Sequence, residues 1–127
     1  MIYTTYFDNL KSLPDSIIPI SICLKTPDWY DGLQYKKLAP RETFFHVWRK
    51  TRNNNYYIDC FNEQVLKQLN IDEVILDIKN LISNIPNNEN KDIALVCYEL
   101  PCEFCHRHLV SQWLNQKGTP CIEWDFK

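Results

Sequence analysis

What this chain of 127 residues lacks narrows its role first. Its 14 Lys and Arg against 16 Asp and Glu leave a formal net charge of -2, so it has no bulk basic field to drive duplex binding through counterion release. No apolar run approaches the roughly 18 to 20 residues of a membrane span, and the amino terminus lacks a basic start followed by an apolar stretch and a cleavage site. These absences predict a cytoplasmic protein with no membrane partner. No internal repeat is visible. With 45% hydrophobic residues the chain can fill one core, so 1–127 reads as a single domain.

Six cysteines is an even number, but without a secretory leader it predicts free thiols rather than a disulfide framework. Cys23, Cys60 and Cys121 stand in apolar surroundings and read as small buried hydrophobes. Cys97, Cys102 and Cys105 instead crowd into nine positions.

Residue patterning gives a coarse map. Runs rich in β-branched and aromatic residues predict strands near 2–6, 18–24, 92–97 and 120–124, with the apolar run Ile93-Ala94-Leu95-Val96-Cys97 as a central one. Helices are predicted from Arg41 to Lys50 and along the stripe Tyr57, Ile58, Phe61, Val65 and Leu69. A third carries Val74, Ile75, Ile78, Leu81, Ile82 and Ile85 behind an Asp72 cap, and a fourth runs from Glu103 to Lys117 with Gly118 in the C′ position. Residues 25–40 hold Pro27, Gly32 and Pro40 among Trp29, Tyr30 and Tyr35, the composition of a functional or lid-like loop. Strands alternating with helices predict an α/β domain with a mostly parallel sheet of about four strands.

The segment from Cys97 to Arg107 joins the central strand to a helix amino terminus, the position where open α/β sheets bind ligands. Three thiols, two carboxylates, an imidazole and a guanidinium within eleven residues exceed what a connecting turn requires. Counting back four residues from Leu109 and Val110 puts Cys105 and His106 on the inward helix face and sends Arg107 sideways.

The run from Ile93 to Glu99, followed by Cys105-His106-Arg107-His108-Leu109-Val110-Ser111-Gln112-Trp113-Leu114, resembles the signature of the domain-of-unknown-function 488 family. Ile2 to Phe7, Pro19 to Ile22, Thr26 to Trp29, Leu38 to Pro40 and Tyr57 to Leu66 resemble further blocks of that family. The resemblance implies a compact Rossmann-like three-layer fold, with a site built from a strand-end Cys and Glu and a Cys-His-Arg triplet. Where the family carries a short basic stretch after the second strand, this chain has Leu24-Lys25.

Several chemistries compete for these residues. A pocket for a small anionic or nucleobase-containing molecule would use Cys105 as nucleophile beside His106, Glu99 as acid/base and Arg107 as anion clamp, with Cys97 and Tyr98 at the strand end. Alternatively Cys105 is an inert packed thiol and Arg107 pairs with Glu99 to stiffen the loop. Cys102 to Arg107 is one position short of the spacing of a phosphatase or rhodanese cradle, and Pro101 removes an N–H. Cys102-Glu103-Phe104-Cys105 is formally a redox C-x-x-C, but nothing else resembles thioredoxin. One such pair, without a second, also argues against structural zinc, so no metal site is expected, and no cofactor is implied. Trp29, Tyr35 and Tyr98 supply flat surfaces on which a base stacks if the second and central strands are neighbours. The competing reading is a non-enzymatic module whose Arg41, Arg49, Lys50, Arg52 and Lys36-Lys37, with Trp48 and Tyr56, meet protein or single-stranded nucleic acid. Nothing in the sequence fixes an oligomeric state.

Overall fold

The computed structural model describes residues 1–98 and 103–124. Glu99 and Cys102, both named above for the site or its alternatives, lie outside the described residues. Five strands form one all-parallel sheet in the order β3-β2-β4-β1-β5: β1 (Ile2–Tyr6), β2 (Ile17–Ser21), β3 (Leu33–Gln34), β4 (Asp92–Cys97) and β5 (Cys121–Glu123). The apolar run of β4 sits at the centre because both neighbours and both faces are covered, which suits a strand with no polar side.

Register levels the carboxyl ends of three strands. Tyr6 lies beside Cys97 and Ser21 beside Val96, so the segments leaving β1, β2 and β4 emerge together. Pro19 is tolerated inside β2 because β3 pairs only with Ile20 and Ser21, so its missing N–H costs no ladder bond on that side. The two-residue β3 falls inside the stretch that sequence patterning assigns to a loop. A strand this short, beside Gly32, offers no alternation to detect.

Four α-helices are described: α1 (Glu42–Thr51), α2 (Asn54–Gln64), α3 (Ile71–Leu81) and α4 (His106–Gln116). Their side chains share one core with Ile18, Ile20, Ile22, Ile93 and Leu95, the alternate residues of β2, its extension and β4 that face the same way. On the other side Val96 packs with Phe7, Leu10 and Tyr30, so a 3₁₀ segment (Phe7–Ser12) and the loop after β2 form a thinner third layer. This is the compact three-layer α/β arrangement that the sequence predicts, with one strand more.

Helix ends show where local chemistry overrides the coarse reading. Asn70, not Asp72, caps α3, because its side-chain oxygen accepts from the N–H groups of both Asp72 and Glu73. α2 begins at Asn54, where the preceding Asn53 caps the N–H of Tyr56 inside a polar stretch that hides the start. α4 starts at His106, three residues later than the Glu103 start predicted, and Cys105 stands extended at its N-cap. Its other end behaves as expected: Gly118 at φ 82° donates to the Asn115 carbonyl and Thr119 to that of Leu114, a Schellman closure.

Candidate functional site

Adjacent strands β2 and β4 deliver two thiols to one point. Cys23, two residues beyond β2, and Cys97, the last residue of β4, bring their sulfurs to 3.2 Å. The Cys23 amide donates to the Ser21 hydroxyl oxygen, and its thiol approaches the Val96 carbonyl at 3.7 Å, so local backbone geometry holds it toward β4. α4 adds the third component: His106 Nδ1 lies 3.5 Å from Cys97 Sγ.

The histidine's tautomer follows from its other contact. His106 Nε2 is 2.7 Å from the carbonyl of Ile22, which can only accept, so Nε2 carries the hydrogen. In the neutral ring Nδ1 then presents a lone pair to the Cys97 thiol. Phe61 packs on the imidazole at 5.5 Å between ring centroids and restrains its plane. Cys97, Cys105 and His106 are all buried, and their sulfur and nitrogen donor atoms lie within 4.8 Å of one another. Those three residues are also the ones that could hold a soft metal ion.

The two family-like cysteines are not equivalent. Burial first, and the neighbouring Cys97 thiol second, push the pKa of Cys105 well up, while His106 pulls weakly the other way. A helix terminus and a nearby cation act in the lowering direction. Desolvation outweighs both because Cys105 packs with Phe7, Val96 and Cys97 rather than facing solvent.

Arg107 departs from expectation as well. Instead of projecting sideways it is wholly buried and forms a two-pronged pair with β5: Nε donates to Glu123 Oε1 at 3.1 Å and Nη2 to Oε2 at 3.0 Å. Thr4 donates its hydroxyl to the same Oε1 at 2.7 Å, and the guanidinium carbon stands 5.8 Å from the centre of the Tyr6 ring. Burial alone lowers the arginine's pKa, yet the bonds and charge of Glu123, with Cys105 and Cys97 adding to them, push it up overall. Glu123 could not be read as this partner from sequence, since the pairing needs β5 to lie beside β1.

A cavity of about 350 Å³ opens over the thiols. Cys23, Cys97, Cys105 and His106 form its floor, Phe45, Trp48, Tyr57 and Phe104 its aromatic wall, and Lys25 and Arg49 add positive charge. Tyr98 closes the rim by donating its hydroxyl to the Lys25 carbonyl at 2.8 Å, which ties together the segments that leave β4 and β2. The structure thus brings Cys97, Tyr98, Cys105 and His106 to one cavity. It leaves Trp29 outside: that ring is 62% exposed and meets Phe7 edge-on at 5.9 Å. Tyr35 is elsewhere too, buried against the helix layer with its hydroxyl donating to Asp77 at 2.6 Å.

Sequence patterning puts Tyr57 on a helix stripe and assigns none of the aromatic wall to the site. Trp48 and Tyr57 do pack into the core, at 7% and 2% exposure, but their edges also face the cavity. Several of the basic residues make contacts of their own. Lys36 donates to the carbonyls of Cys23 and Leu24, Lys37 pairs with Asp77, Arg41 reaches the Gln64 carbonyl, and Arg52 lies over the Trp48 ring at 4.4 Å. Among the described residues no helix is long and apolar enough to cross a membrane.

Residues 11–118 match the family model described as DUF488-N3a, active DUF488-N3 subclade. Neither the curated proteins nor the solved structures contain a match.

Proposed function

From the premise that this chain belongs to the DUF488 family, we propose that it binds a small planar molecule bearing negative charge, of the nucleobase-containing class, and acts on it with the Cys97 thiol. The observation that carries this reading is the thiol–imidazole contact at the floor of an aromatic cavity, with Cys97 Sγ 3.5 Å from His106 Nδ1. His106 is the base: its Nε2–H is committed to the Ile22 carbonyl, so Nδ1 takes the thiol proton and leaves a nucleophilic thiolate at the floor of the cavity. Cys97, rather than Cys105, is the nucleophile, because its sulfur faces His106 Nδ1 at 3.5 Å, while burial and the neighbouring thiol push the pKa of Cys105 up.

Shape and charge point to the ligand class. The aromatic lining of Phe45, Trp48 and Phe104 favours a flat ring, and a volume near 350 Å³ suits a nucleoside or a similar small ring system. Lys25 and Arg49 meet an anionic substituent. Arg107 does not clamp the ligand in this scheme; it is a positioning residue that fixes the first turn of α4, and so His106, to β5. The family description calls the subclade active, which favours a reaction over passive binding.

The test is a thermal-shift panel of nucleobases, nucleosides and nucleotides, repeated on Cys97→Ser and Arg49→Ala. A ligand at about 100 times its Kd adds about 2.7 kcal/mol, enough to raise the melting temperature by several degrees. Stabilisation kept in Cys97→Ser and weakened for charged ligands in Arg49→Ala is the expected pattern. A panel without any stabilising compound sinks the ligand class.

A further inference from the structure

The mechanism above leaves one floor residue idle. Cys23 is 73 residues distant from Val96 in sequence, yet its sulfur stands 3.2 Å from that of Cys97, closer than Cys97 stands to its base. Sequence patterning gives Cys23 no role beyond packing. Its placement follows from the fold: β2 and β4 are paired in register to Ser21 and Val96, and Ile22 continues the ladder by donating its N–H to the Val96 carbonyl.

We propose that Cys23 and Cys97 form a dithiol centre that hydroperoxides oxidise to a disulfide, with Cys97 as the thiol attacked first and Cys23 as its resolving partner. The proposal rests on the reading of Cys97 as the cavity's reactive thiol. Both sulfurs are buried from bulk solvent but line the cavity, so a molecule as small as hydrogen peroxide reaches them where a large oxidant does not.

The steps balance. Cys97 thiolate attacks one peroxide oxygen, the O–O bond breaks, and the departing oxygen leaves as water, or as an alcohol from an organic hydroperoxide, after taking a proton. Cys97 is then a sulfenic acid. The Cys23 sulfur attacks the Cys97 sulfur, an S–S bond forms, the S–O bond breaks, and the hydroxide leaves as water with the Cys23 proton. Two thiols lose two electrons and the peroxide gains them. A disulfide bond is about 2.0 Å long, so the sulfurs must close by about 1.2 Å, within reach of side-chain rotation and a small loop shift. His106 serves the first step twice from the same place, because the proton it accepts from Cys97 is the one returned to the leaving oxygen.

Three thiols converge here, and the choice of Cys23 over Cys105 is the falsifiable part. Cys105 is extended at the N-cap of α4 and packed with Phe7 and Val96, whereas Cys23 already points its sulfur at Cys97 at 3.2 Å. Disulfide formation would consume the nucleophile of the proposed reaction, so peroxide would switch ligand chemistry off and a dithiol reductant would restore it.

The experiment treats the reduced full-length chain with one equivalent of hydrogen peroxide and maps the thiols by mass spectrometry after blocking with an alkylating agent. The expected product is a Cys23–Cys97 cross-link with the loss of two hydrogens, reversed by dithiothreitol. Cys23→Ser should abolish the cross-link and leave Cys97 as a sulfenic acid trapped by dimedone, while Cys105→Ser should keep the cross-link. A Cys97–Cys105 cross-link, or sulfinic acid on Cys97 in the wild-type chain without any Cys23 linkage, overturns the proposal. If Cys23→Ser melts early, Cys23→Ala replaces it, and the wild-type mapping stands by itself. None of these readouts uses a ligand. A cross-link with no stabilising nucleotide fails the ligand reading alone, and stabilisation without a cross-link fails the dithiol alone.

Discussion

Replacing Glu123 by alanine removes a carboxylate that accepts two bonds from a guanidinium with no exposed surface, and the cost can be worked out. Stripping one partner from a buried ion pair costs about 3 to 5 kcal/mol, because the remaining charge is stranded in a medium of low polarity. Here the glutamate side chain keeps 23% of its surface in solvent, so water can partly replace it, and the lower end, about 3 kcal/mol, applies. Unfolding entropy of about 2.1 cal/mol/K per residue over the 127-residue chain converts this to a drop of about 11 °C in melting temperature. For a domain stabilised by about 5 to 15 kcal/mol that is a large but survivable loss. Arg107→Lys should lose nearly as much, since an ammonium cannot reproduce the two parallel bonds at 3.1 and 3.0 Å. Calorimetry on both variants and on the double variant reads the effect. If each single change costs less than about 1 kcal/mol, or the two add without coupling, Arg107 is not anchored by Glu123, and its role in holding α4 must be abandoned.

Other consequences follow from single contacts. Gly118→Ala should cost about 1 kcal/mol in urea denaturation, all of it from the left-handed φ of 82°, because nothing lies within 4 Å of an added methyl. A larger loss would mean that the Schellman closure bears on more than the end of α4. The Tyr35 hydroxyl, and after it the Lys37 ammonium, hold Asp77 below the usual carboxylate range. A depressed folded-state pKa adds stability above the unfolded value of about 3.9, and that stability is lost as pH falls through the folded value. The melting-temperature gap between wild type and Tyr35→Phe should therefore be flat near neutrality and close in acid; a gap that widens in acid refutes the pairing.

How much of this was legible depended on whether a feature was local. The run 93–97 announces a central strand because it is apolar throughout, and the terminus of α4 is readable because Gly118 stands where a Schellman closure needs it. Cys97, Tyr98, Cys105 and His106 are recoverable as neighbours because one strand-to-helix connection carries them. The remainder is tertiary. Nothing near Cys23 hints at Cys97 until β2 and β4 are side by side, and Glu123 becomes the partner of Arg107 only once β5 lies on the far edge next to β1. Trp48 and Tyr57 show the complementary failure: a helical stripe identifies an inward face without revealing that the face ends at a cavity. Tyr35 misleads in the other direction, since its loop position conceals a two-residue strand that turns it toward Asp77.

The central claim is that Cys97 is activated by His106 while Cys105 stays inert. Site-resolved alkylation of the native chain with iodoacetamide between pH 6 and 9, in wild type and His106→Gln, tests it most directly. Cys97 should react before Cys105 near neutral pH and lose that advantage in His106→Gln, with Cys105 slow in both. Faster labelling of Cys105, or a Cys97 rate unchanged by loss of the imidazole, would contradict the account.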